Sequence, residues 1–377
     1  MRKSKIYKIL GVLILLTSIG SGIWYWQLPN RHKAIVKSFL FEKLGVVNPN
    51  WKVENQSETY KMFSPEFYID GIYKSMEGPK SSNYVQLSKD STLLWLTGFH
   101  VKALDSKSLK YISNDFICHT NVDFNDVNYY SSFHLQKRIG SQYPRLTSLS
   151  HGMENFSFPE GYGVPMKGNE YLYVTTQALN HNLVDASYWI RHEVDINYSK
   201  AKNVKPLMSR TAFIMLPFDQ SNPYKSPLDP GTNQCIPVET KNHTYDDGKG
   251  NKLSGHWVIP VGKNTYRSMV NQQLQLVDSL RLHAAAIHVH PFATRISLFD
   301  KTKNKAIFSS KIVNHKGTIG LTSIEPFSSE EGIWLYATHD YEIVLDVENT
   351  TKTSQDMMGS MFLFFYDREL DGILGKD

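Results

Sequence analysis

Beyond residue 55 the chain runs in short apolar bursts of β-branched and aromatic residues, punctuated by Gly, Pro, Asn and Asp. That rhythm predicts strands. The clearest are 91–104, 110–124, 169–180, 188–198, 210–218, 255–261, 274–290, 294–300, 332–341 and 359–367. Helical signals are few. AIVKSFLFEKLG (34–45) spaces Ile35, Phe39 and Leu44 along one side and stops at Gly45, which predicts a short helix. A polar stretch at 200–209 separates two strand-rich halves, and a Pro-, Gly- and Asp-rich loop is expected at 219–255. The pattern predicts an all-β protein of two antiparallel sandwiches in series. Its expected divisions are an N-terminal segment (1–30), a short helical linker (31–54) and two sandwiches (55–202 and 203–371).

The first 30 residues stand apart from this pattern. MRKSKIYK is positively charged, and the 18 residues from Ile9 to Trp26 carry no charge. Roughly 17–25 apolar residues span a bilayer, so the run is long enough to be a transmembrane anchor. The basic flank predicts a cytoplasmic N-terminus and an exported body, on the periplasmic or extracellular face. Trp24, Tyr25 and Trp26 suit the far interface. Small residues from Ser18 to Gly22 leave a cleaved signal open, with a secreted product.

Composition narrows the picture. Of 377 residues, 41% are hydrophobic and 20% charged, enough to build a packed interior. A net charge of +5 without any Lys/Arg cluster among aromatics gives no support to nucleic-acid binding. The two cysteines, Cys118 and Cys235, permit one disulfide in an oxidising compartment.

The candidate chemistry lies in HAAAIHVHPF (283–292). Side chains alternate across a strand, so His288 and His290 share a face, roughly 6–7 Å apart along the backbone. Ala284 and Ala286 leave space beside them, and Pro291 ends the ladder. Two imidazoles so placed suit Cu, Zn or Fe. A surface pair without a metal is the competing account. Met358 opens a later alternating strand, QDMMGSMFLFFYD, where it could equally fill the core.

His288-Val289-His290 together with the Asp356-Met357-Met358 run resembles the ascorbate-dependent type II copper monooxygenases, the family of peptidylglycine α-hydroxylating and dopamine β-monooxygenases. The resemblance implies two jelly-roll-like sandwiches, a copper held by His288, His290 and Met358 in the second, and O2-dependent C–H hydroxylation. It implies a strand with Arg295, a hairpin around DKTKNK and a long turn at 344–356. A small organic or peptide substrate and a reductant would be the partners.

The first copper site of that family departs from pattern here. Its adjacent histidine pair corresponds to Cys118-His119, and its third histidine to Gln177. Neighbouring strand residues point to opposite faces, so Cys118 and His119 can meet one ion only at a bulge or strand end. Three accounts stay open: a remodelled copper site completed by His151 or His181, a buried thiol or half-disulfide beside a hydrogen-bonded histidine, and a pocket for something other than copper. The expectation is therefore one copper rather than two. Metal binding without turnover and a metal-free binding or structural sandwich remain as alternatives. A zinc hydrolase fits less well, because Met358 suits zinc poorly and no carboxylate-bearing zinc motif is present. The remaining histidines, His256 and His315 among them, read as ordinary, with His339 a possible support to the Met358 turn.

Overall fold

The structure is a computed structural model and describes residues 2–217, 245–246 and 252–375. The apolar N-terminal run forms a single helix, Arg2–Gln27, about 39 Å long at the usual rise. No residue of its Leu10–Gln27 portion is fully buried, and that portion is long and apolar enough to cross a membrane. Pro29 leads into a second helix, Asn30–Lys43. Proline pre-sets the backbone for such an entry. This helix begins earlier than its apolar spacing suggests. It docks on the β body through buried Ala34 and through Lys37, which pairs with Asp70 and donates to the Tyr73 hydroxyl at 3.1 Å.

The body is all-β and sandwich-like, as the punctuation predicts. Several strands escape the sequence pattern because they alternate polar and half-exposed positions, among them Lys80–Gln86, Gly262–Met269 and Lys305–Asn314. The polar 200–209 stretch already joins the sheet at Lys205, where the Lys205–Phe213 strand begins. The turn expected at 344–356 is also shorter than that. Tyr341–Asn349 is a strand, and Gln355–Tyr366 begins after a turn in which Asn349 Oδ1 accepts from Thr351 N at 3.0 Å.

Two strands organise the molecule. Leu280–Val289 and Gln355–Tyr366 pair antiparallel, with His288 opposite Ser360 and Ala286 opposite Phe362. Both are buried along nearly their whole length. Their odd-numbered residues, including Ala285, Ile287, Leu363 and Phe365, enter the core of the second half with Trp257, Ile296 and Leu345. Their even-numbered residues, Ala284, Ala286, Phe362 and Phe364, belong to the core of the first half with Phe99, Val122 and Ile190. The Phe364 ring lies 4.6 Å from that of Phe158 and 5.5 Å from that of Phe156.

A bulge at His283 sets this alternation. The register slips between Leu282 and Ala284, so Leu282 packs with the second core and Ala284 with the first. The halves are also tied by parallel pairing of Lys205 and Pro206 with Tyr162 and Gly163. Arg138 adds a two-pronged salt bridge to Asp367 at 2.5 and 2.9 Å.

Removing the Phe364 ring takes apolar contact from both sides of the seam. Phe364→Ala should cost about 3–5 kcal/mol, read as a lower denaturation midpoint with an unchanged denaturant slope.

Candidate metal centre

The even face of the two central strands turns polar toward one end. After Ala284 and Ala286 come His288 and His290; after Phe364 and Phe362 come Ser360, Met358 and Asp356. A short strand, His256–Ile259, pairs with the Gln355–Met358 end and sets His256 opposite Met358. Facing this from the first half are the Ile117–Phe124 and Arg145–Ser150 strands. A cavity of about 20 Å³ lies between them, room for one water or small ion. His288, Met358, Ser360 and Phe213 line it on one side, and His119, Asn121, Arg145 and Met76 on the other.

The structure thus brings His288 and Met358 to one cavity and adds His119 from the other half, its ring 6.3 Å from that of His288. His290 has different company. Its ring lies 5.6 Å from that of His288 at a right angle, and its Nδ1 approaches Asp356 Oδ2 to 2.9 Å. His256 Nε2 stands 3.7 Å from the same oxygen. The three donor atoms lie within 4.8 Å of one another. None has a hydrogen bond of acceptable geometry, although His256 and His290 are almost wholly buried.

Orphaned buried polar atoms are costly. Around a tetrahedral metal with bonds near 2.0–2.1 Å, ligand atoms sit about 3.3 Å apart. The separations of His290 Nδ1 and His256 Nε2 from Asp356 Oδ2, 2.9 and 3.7 Å, bracket that value. His256, His290 and Asp356 therefore fit a metal ion in both spacing and donor chemistry. Two imidazoles and one carboxylate suit Fe(II), Zn or Cu(II), a harder set than two imidazoles with a thioether.

Electrostatics agree with this arrangement. Burial would raise the Asp356 carboxyl, but the adjacent His256 and His290 imidazoles hold it well below the ordinary range. Burial pushes His256 down, against the pull of Asp356. Burial, then His290, His119 and Arg145, push His288 well below its usual value, so it is neutral at physiological pH. Neutral imidazole is the form that binds metal. A fourth histidine comes from the first half. His181 is pushed down to about 4, chiefly by burial, and it feels the charges of Asp356, His290 and His151. Its Nδ1 also lacks a partner.

The Cys118-His119 element is a bulge. His119 pairs with Gln177 and Ile117 with Ala178, leaving Cys118 as the extra residue. The irregularity brings Cys118 Sγ within 3.3 Å of His119 Nδ1 despite their adjacency, and Cys118 Sγ also accepts from Met76 N at 3.5 Å. Gln177 donates to Gly78 O at 2.9 Å. His119 and Gln177 form the floor of a second cleft, about 260 Å³, whose outer wall is Arg31, Ile35 and Phe39 of the second helix. Cys235, the proposed disulfide partner of Cys118, lies outside the described residues.

Sequence reasoning found the His288/His290 face and the Asp356–Met358 run but passed over His256. The available signal was its place in a short apolar strand, GHWVIPV, where a buried imidazole needs a partner. His339, expected to support the Met358 turn, instead meets Asp300 Oδ2 at 2.7 Å.

No protein-family model matches the chain, and no curated protein does. Solved structures similar to it include PNGase F, a glycosylasparaginase from Flavobacterium meningosepticum. That match has TM-score 0.35 and 10% identity and covers 82% of this chain and 96% of that one. The major capsid protein P2 of bacteriophage PM2 matches with TM-score 0.28 and 10% identity, over 82% of this chain and 99% of that one.

Behind His119, a strand of another sheet, Tyr188–Ser199, carries a buried acid-sensitive group. His192 is fully buried, with Nδ1 2.6 Å from Thr176 Oγ1 and Nε2 3.3 Å from Phe116 O. Burial pushes it down to about 4 from 6.5. A depressed histidine stabilises the fold fully above pH ~6.5, and that contribution is lost as pH falls toward 4, because only the unfolded chain takes up the proton. The loss is on the order of 3 kcal/mol. Unfolding free energies from pH 7.5 to 4 should fall less steeply in His192→Gln than in the parent chain.

Proposed function

We propose that this chain is a membrane-anchored, exported metalloprotein that uses a transition metal on His256, His290 and Asp356 for oxidation chemistry. The observation that carries the reading is the convergence of three ligand atoms within 4.8 Å of one another, two of them on almost fully buried imidazoles. The His288-Val289-His290 and Asp356-Met358 runs, similar to the copper monooxygenases, favour O2 as the oxidant and a C–H bond as the target. A bound copper or iron would supply the one-electron step that triplet oxygen requires.

The remaining residues have separate roles in this reading. Asp356, ionised by its neighbours, offsets the charge of the ion. His181, in the first half, stands near enough to feel the charge of Asp356. His288, held neutral by burial and with Nδ1 unpartnered, offers a further nitrogen ligand beside the small cavity. Met358 walls that cavity with a polarisable sulfur and stands ready as a softer ligand. A small organic or peptide substrate would enter by the cleft at His119 and Gln177. In this reading the N-terminal helix holds the body at the membrane, and its basic flank supports a body outside the cytoplasm.

Bound metal per chain tests the reading, with full-length protein in detergent stripped by chelator and reloaded with Cu2+, Fe2+ or Zn2+. His290→Ala and Asp356→Asn should each lose one ion per chain, and Met358→Leu should keep it. Loss in Met358→Leu with retention in Asp356→Asn would move the ion to His288, His290 and Met358. Unchanged binding in all three variants would end the metal reading at this seam. Oxygen uptake with ascorbate by the loaded protein then separates turnover from metal holding, which gives none.

A further inference from the structure

A second His/His/Asp group joins the two halves on a different part of the seam. Asp115 lies in the short turn before the Ile117–Phe124 strand, His151 follows the Arg145–Ser150 strand, and His315 follows Lys305–Asn314 in the second half. We propose that Asp115, His151 and His315 form a second divalent transition-metal site that clasps the two sandwiches together. The proposal stands on residues separate from those of the first centre.

Both ring nitrogens converge on one carboxylate oxygen. His151 Nε2 is 2.7 Å and His315 Nε2 3.0 Å from Asp115 Oδ1. His315 Nδ1 lies 3.0 Å from Thr322 Oγ1. A metal-binding imidazole characteristically has its other nitrogen anchored in this way, which fixes the tautomer and aims the ligating nitrogen.

The backbone is shaped to let the rings meet. A Cβ on Gly320 would stand 2.5 Å from His315 Cδ2 and 2.9 Å from His151 Cε1. Only glycine permits the 5.0 Å ring separation observed. Asn182 secures the hairpin beside it by donating to Ile319 O at 2.8 Å and accepting from Ile319 N at 3.1 Å. Access is open: His315 and Gly320 line a cleft of about 550 Å³, and the Asp115 side chain is 46% exposed. Two imidazoles and a carboxylate with an accessible side suit Zn2+, and ligands drawn from three chain segments make such an ion a cross-link between the halves.

Zn2+ itself is the probe, titrated into chelator-stripped full-length protein in detergent. Wild type should bind two ions per chain, the Asp115→Asn/His315→Gln and His256→Ala/Asp356→Asn double variants one each, and the combined variant none. Zn2+ should also raise the melting temperature of His256→Ala/Asp356→Asn but not that of the combined variant. Thr322→Val leaves the ligands in place and should weaken the second ion about 10–100-fold; it serves if the double variant misfolds. Unchanged stoichiometry in Asp115→Asn/His315→Gln, with wild-type affinity in Thr322→Val, overturns the proposal and leaves the trio a hydrogen-bonded latch. Retention of both ions in His256→Ala/Asp356→Asn overturns only the first centre.

Discussion

The molecule depends on two adjacent strands buried on both faces. A strand in an antiparallel sandwich ordinarily shows one face to a core and the other to water. Here Leu280–Val289 and Gln355–Tyr366 divide their residues between two cores, one set packing within the second half and the other against the first. Where that second face is apolar, as at Ala286, Phe362 and Phe364, it joins the halves. Where it becomes polar, the same packing buries His288 and His290, with Asp356 half-buried beside them. The site is the polar end of a hydrophobic joint.

Desolvation governs the chemistry available there. It keeps His288, His256 and His181 neutral, while paired imidazoles keep Asp356 ionised. Neutral nitrogens beside an anionic oxygen make a ready cation site, since burying a charge is tolerable only when it is matched. Arg145 is matched in this way by Asp123 at 2.7 Å. Acid works against this arrangement, because His181, His192, His256 and His288, all held low by burial, then favour the unfolded chain.

Much of the architecture was legible in the sequence. Period-2 alternation placed His288 and His290 on one face, and the apolar run around them correctly implied burial. What escaped depended on register. His256 lies about a hundred residues from Asp356 and meets it only because His256–Ile259 pairs with the start of Gln355–Tyr366. His181 arrives from the opposite half. The bulges at Cys118 and His283 each add one residue to a ladder and reverse the facing of everything beyond. No local pattern announces them. Strands such as Gly262–Met269 were hidden for a simpler reason: their polar alternation resembles a loop when read without a partner.

The interlocking of Phe364 with Phe156 and Phe158 has a mechanical corollary. Two bodies that share an interior cannot swing apart like jaws without exposing it, so opening the seam there would carry the cost of baring those rings. A space that holds one water excludes bulky molecules by dimension alone. At that end of the joint the space is the size of one water, and the wider cleft at His119 and Gln177 lies outside it.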